Sequence, residues 1–138
     1  MKDVTQKEYS DYVLTGLLEQ FPRFIDYYKL DNDILTIDYP SSQRLLSLWI
    51  TTQNLETTVG FDGKNGQCTW HVHMSQFGAN EHDEELKEAI NLINGILIGN
   101  EIIAFNSTFG YYLTDNPNDD IKNKHNDEIL EFKRWNEL

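Results

Sequence analysis

Two runs of alternating residues flank Lys64-Asn65-Gly66-Gln67, and no other feature of this chain constrains its fold so tightly. Asn-Gly is the preferred pair for a two-residue type I′ turn, because both central residues adopt positive φ. Before it, Leu55, Thr57, Val59 and Phe61 alternate with Glu56, Thr58, Gly60 and Asp62. After it, Trp70, Val72 and Met74 alternate with Thr69, His71, His73 and Ser75. A turn closed between Lys64 and Gln67 puts Phe61 opposite Trp70, Val59 opposite Val72 and Thr57 opposite Met74. Core-side residues then meet core-side residues throughout, so turn chemistry and side-chain pattern select one register. The other face carries His71 beside Gly60 and His73 beside Thr58, with Glu56 diagonal to His73.

The flanking segments complete an α+β pattern. Thr5-Gln6-Lys7-Glu8 has the form of a capping box. Tyr9, Val13, Leu17 and Phe21 then recur at helical spacing, predicting a helix from about Thr5 to Phe21. Pro22 ends or kinks it, and Phe24, Ile25 and Tyr28 continue a helical face to about Lys29. Asp31-Asn32-Asp33 is a turn. Ile34–Tyr39 and Arg44–Thr52 read as strands, the second with Leu46, Leu48 and Ile50 on one face and Leu45 and Trp49 on the other. Asn80 is the expected N-cap of a second helix, whose stripe is Leu86, Ile90, Ile93 and Leu97 and whose end is marked by Gly99-Asn100. Glu101–Asn106 and Phe109–Thr114 follow as strands, 115–126 as a loop, and Glu128–Trp135 as a terminal strand. The expectation is a single domain, 1–138, with an antiparallel sheet of about six to seven strands and two main helices packed on one face.

Composition narrows the function. The chain has 138 residues, with 11 Lys and Arg against 23 Asp and Glu, a net charge of −12. Phosphate backbones and anionic membrane surfaces are bound by clustered Lys and Arg, so neither nucleic acid nor membrane is the expected partner. One cysteine, Cys68, and an N-terminus without an apolar run point to a reducing compartment, and the cytoplasm is the expected location. The common nucleotide-binding, zinc-protease and serine-hydrolase signatures are missing, and the chain reads as a non-enzyme without a cofactor.

Three groups of residues carry candidate chemistry. His71 and His73 point to one side of a strand, and with Glu56 they offer a metal-binding set; the alternative is two histidines making hydrogen bonds on a half-exposed face. Cys68 has the opposite strand parity to His71, so a cysteine nucleophile paired with that histidine is ruled out on geometry, and Cys68 is expected to face the core. Only one H-x-H occurs, which sets aside a phosphoesterase reading that needs two H-x-[ST] motifs. Trp49 and Trp135 are candidate apolar contact residues, because their strands carry large apolar residues on both faces. The acids concentrate at Glu81, Asp83, Glu84, Glu85 and Glu88, and again at Asp115, Asp119, Asp120, Asp127 and Glu128. Such clusters solvate a helix start and a loop, or they form a negative surface that steers a basic partner.

The run Leu55 to Asp62, the strand Trp70-His71-Val72-His73-Met74, the acidic helix after it and a closing strand with Trp135 resemble small bacterial immunity proteins of polymorphic-toxin and contact-dependent inhibition systems. The resemblance covers the middle third of the chain. It implies a cytoplasmic, non-enzymatic protein that binds one cognate toxin and occludes its active site, the toxin being basic and in many cases a nuclease. On this reading Glu81, Asp83, Glu84, Asp119 and Asp120 steer the partner, and Trp49 or Trp135 anchors it. The alternative is a small metal- or ligand-binding protein using His71, His73 and Glu56.

Overall fold

The computed structural model describes residues 3–63 and 67–138. It is an α+β structure. Among the described residues there are three α-helices and eight strands in two antiparallel sheets. Helix α1 spans Gln6–Gln20. Thr5 caps it: the Thr5 hydroxyl accepts from Glu8 N at 3.1 Å, and Thr5 N donates to Glu8 Oε1 at 3.0 Å. Pro22–Asp26 forms a short 3-10 turn.

The first sheet is a meander: β1 (Tyr28–Asp31), β2 (Ile34–Pro40), β3 (Leu46–Thr51), β4 (Thr58–Gly63) and β5 (Cys68–His73). The expected helical extension to Lys29 is therefore wrong. Only one 3-10 turn follows Pro22, and Tyr28 onward pairs with β2. Leu55 is also not in a strand. It lies in a 3-10 turn, Gln53–Leu55, with φ of 58°.

Helix α2 spans His82–Leu97. Its N-cap is Glu81 rather than Asn80. Its C-terminus is a Schellman motif: Gly99 has φ of 84°, Gly99 N donates to Ile96 O and Asn100 N donates to Gly95 O. The second sheet follows, in the order β7 (Gly110–Thr114), β6 (Ile102–Asn106), β8 (Leu130–Lys133). The expected single sheet of six to seven strands is thus two sheets, of five and three strands. The expected loop at 115–126 contains a third helix, α3 (Pro117–Asn123). Asn116 caps it and Pro117 starts it, a combination that suits a first turn because proline lacks the N–H that would go unpaired there.

Helices α1 and α2 cover one face of the first sheet. Val13, Leu17 and Phe21 from the first helical segment, and Leu86, Ala89, Ile93 and Ile96 from α2, pack with Leu35, Ile37, Leu46, Leu48, Ile50, Val59 and Phe61. A buried polar knot ties α1 to the sheet. Ser10 Oγ bonds Thr52 Oγ1 at 2.7 Å and donates to Asp33 O, while Leu35 N donates to Thr52 Oγ1 at 3.0 Å.

The β4–β5 register is the one the sequence dictates over Phe61–Trp70, Gly60–His71, Val59–Val72 and Thr58–His73. Residues 64–66 of the Asn-Gly turn lie outside the described residues. Between Phe61 and Asp62 the register shifts, so that Asp62 pairs with Cys68 and Thr69 has no partner across the ladder. Thr69 is drawn to the second sheet instead, where its hydroxyl donates to Tyr111 O at 2.6 Å. A bulge of this kind re-aims the residues beyond it.

Candidate functional site

The histidine face lies on the side of the first sheet away from the helices. Trp49 spreads across Gly60, and its ring centroid is 6.3 Å from that of His71. His71 and His73 stand edge to face, with centroids 5.3 Å apart. His73 Nδ1 is 2.7 Å from Thr58 Oγ1 and 3.2 Å from Glu56 Oε1. Glu56, His71 and His73 therefore share one face, as their spacing implies. His73 already has two neighbours at the one nitrogen, and its contact with Glu56 is open to water, where even a charged pair contributes little. Among the described residues no group of three or more His, Cys, Asp or Glu is arranged to hold a metal ion.

Cys68 corrects the parity argument. The bulge at Thr69 turns it onto the histidine face, where it is exposed and its Sγ lies 3.9 Å from His71 Nδ1. Beside Trp49, burial raises the Asp62 carboxyl pKa and the like charge of Asp38 adds to the shift. The indole N–H of Trp49, sealed from water, opposes that rise.

A second site is built between α1 and the start of α2. Val4, Glu8, Tyr9 and Tyr12 line one side of a cavity of about 540 Å³, and Glu81, His82 and Asp83 line the other. Its wall is apolar: the Tyr9 ring packs on His82 with centroids 4.4 Å apart, and Tyr12 is 44% exposed. Three carboxylates, from Glu8, Glu81 and Asp83, edge it. A buried network holds the wall in place. The hydroxyls of Tyr9 and Thr57 share a hydrogen bond of 2.6 Å, and Thr57 N donates to Glu85 Oε1 at 3.0 Å. Burial pushes the Tyr9 hydroxyl pKa up. Burial also raises that of Glu85, opposed by the bond from Thr57 and the charge of His82.

The structure separates the residues singled out from the sequence. Glu81 and Asp83 share the cavity, and Glu84 is exposed one residue further along α2. Asp119 and Asp120 are on α3 and are engaged locally. Asp119 Oδ2 accepts from Asn116 Nδ2 at 3.0 Å, and the Asp120 carboxylate accepts a short bond from the Thr114 hydroxyl. Burial, then Asp120, raises the neighbouring Tyr112 pKa to about 12. Trp135 is not an exposed anchor. It is 7% exposed and stacks near Tyr39, because the chain leaves β8 after Lys133 and turns into a 3-10 segment that folds the indole inward. Sequence reasoning passed over Glu8, Tyr9 and Tyr12 as site residues, and read Glu85 only as one of a cluster of surface acids. Glu8 reads as a capping residue and Tyr9 as core, and both roles are real, so their second role at a cavity leaves no separate trace.

No protein-family model matches this chain, and neither a curated protein nor a solved structure matches it. Among the described residues no helix is long and apolar enough to cross a membrane.

Proposed function

We propose that this protein binds a basic protein partner and acts as an immunity-type inhibitor, covering the active site of a cationic toxin. The observation that carries this reading is the cavity between α1 and α2, which has an apolar wall and a rim of carboxylates. That combination suits a lysine or arginine side chain, whose aliphatic stem packs on Tyr12 and Val4 while its charged end meets Glu8, Glu81 and Asp83. The net charge of −12 supports the same reading, since it accelerates encounter with a positive surface. Exposed Tyr12 supplies the aromatic contact that protein interfaces favour.

The test is co-expression with the product of the adjacent open reading frame, followed by purification and binding kinetics. A stoichiometric complex is expected, with association slowed by salt and weakened by about tenfold or more in Glu81→Lys/Asp83→Lys. Absence of a complex, or one indifferent to both salt and the double reversal, rejects the proposal.

A further inference from the structure

Strand β1 is the outer strand of the first sheet, and all four of its residues are exposed. It joins β2 through Asn32 and Asp33, with φ of 51° and 66°, and Asp31 faces Ile34 across them. In a two-residue hairpin of this form the flanking pair is hydrogen-bonded, and bonded pairs recur at every second residue. Asp31, Lys29 and Tyr27 therefore bond inward to β2, and Tyr27 O does accept from Asp38 N at 2.9 Å. By the same alternation the N–H and C=O groups of Tyr28 and Leu30 point outward. The other outer strand of the sheet, β5, is not equivalent, because its Thr69 meets Tyr111 of β7.

We infer that β1 pairs with β1 of a second copy of this chain, antiparallel, about a twofold axis at Leu30. The charges choose this register. An axis at Lys29 sets Lys29 against itself, and an axis at Asp31 does the same for Asp31. An axis at Tyr28 sets Lys29 opposite Tyr27, and Leu30 and Asp31 opposite Asp26 and Ile25 of the 3-10 turn, so no opposite charges pair. Only the axis at Leu30 places Lys29 opposite Asp31 of the other copy, and does so twice. These fall at the non-hydrogen-bonded pairs, where facing side chains approach most closely. Neither Lys29 nor Asp31 has a salt bridge to a described residue of its own chain. On the other face Leu30, 46% exposed, meets its own copy, and Tyr28 flanks it at 36%. The pairing is isologous, so it consumes both open edges and closes at two. Three strand residues a side, Lys29, Leu30 and Asp31, face their counterparts, and Tyr28 falls opposite Asn32 of the turn; the interface is small and the dimer correspondingly weak.

Sedimentation equilibrium from about 1 µM to 1 mM chain, at about 0.15 M salt, tests this. The mean mass is expected to rise from 16.2 kDa toward twice that value. Lys29→Asp and Asp31→Lys, each placing like charges opposite one another, are expected to weaken association about tenfold. The double variant Lys29→Asp/Asp31→Lys is expected to restore it to within about threefold. Thermal melts verify that each variant folds. Amide exchange at Leu30, slowing as wild-type concentration rises, gives a readout that needs no substitution. A monomer mass across the whole range, association unmoved by the single reversals, or a double variant that stays weak overturns the inference.

Discussion

Gly60 lies directly beneath the indole of Trp49, so closely that a Cβ added there would sit 2.5 Å from Trp49 Cζ2 and 2.6 Å from Trp70 O. A strand interior rarely favours glycine, and here it is required because an aromatic ring from β3 occupies the place of its side chain. Gly60→Ala is expected to destabilise the fold by about 2–3 kcal/mol, read by urea denaturation. Adding Trp49→Ala should recover only part of the loss, because the Trp70 carbonyl is backbone and cannot move aside. Full recovery would place the whole clash on the indole.

Glu85 makes stability depend on pH. Its pKa is raised in the fold, chiefly by burial, so the native state holds the proton more tightly than the unfolded chain does. Its contribution is therefore fully present below the unfolded carboxylate value and is lost as pH rises through the folded one. Glu85→Gln should remove that slope while its amide oxygen still accepts from Thr57 N. Wild type minus Glu85→Gln, measured by denaturation from about pH 4 to 8, should fall with pH. Glu85→Ala orphans the buried Thr57 N–H and should cost about 1–3 kcal/mol at neutral pH. A flat difference curve would show that Glu85 titrates alike in both states.

The β4–β5 register was legible because alternation at Val59, Phe61, Trp70 and Val72 is a local signal with one solution. Tyr28–Asp31 was not, because Phe24, Ile25 and Tyr28 imitate helical spacing and the pairing that decides the matter is with β2. The acids at Asp119 and Asp120 conceal an Asn-Pro helix start inside a polar stretch that reads as loop. The bulge at Thr69 depends on a hydrogen bond to Tyr111, 42 residues away, which no local pattern encodes. For the same reason the cavity at Tyr9 and His82 was out of reach: it exists only where α1 and α2 meet. The acids on its α2 side were legible as charge, though not as a shared rim.

Cys68 should behave as a surface thiol. It is exposed and lies 3.9 Å from His71 Nδ1, where strand parity alone would bury it. An aromatic disulfide reagent should titrate one thiol per chain without denaturant, and Cys68→Ser should change stability by less than about 0.5 kcal/mol. A thiol that reacts only after unfolding would mean that the strand runs without the bulge in solution.

Trp135 separates a packing role from a contact role. The indole is 7% exposed, belongs to the main core and lies nearly parallel to the Tyr39 ring, 18° between planes. Removing it leaves a void bordered by Tyr39, whose other neighbours, Phe24 and Tyr27, can close in only partly. Trp135→Ala is expected to cost about 3–5 kcal/mol, and Trp135→Phe less, because the smaller ring still fills much of the space. The loss should appear in the isolated chain by urea denaturation, with no partner present. Should Trp135→Ala leave stability intact and instead weaken a protein complex, the side chain would have to be turned outward, as an interface anchor requires.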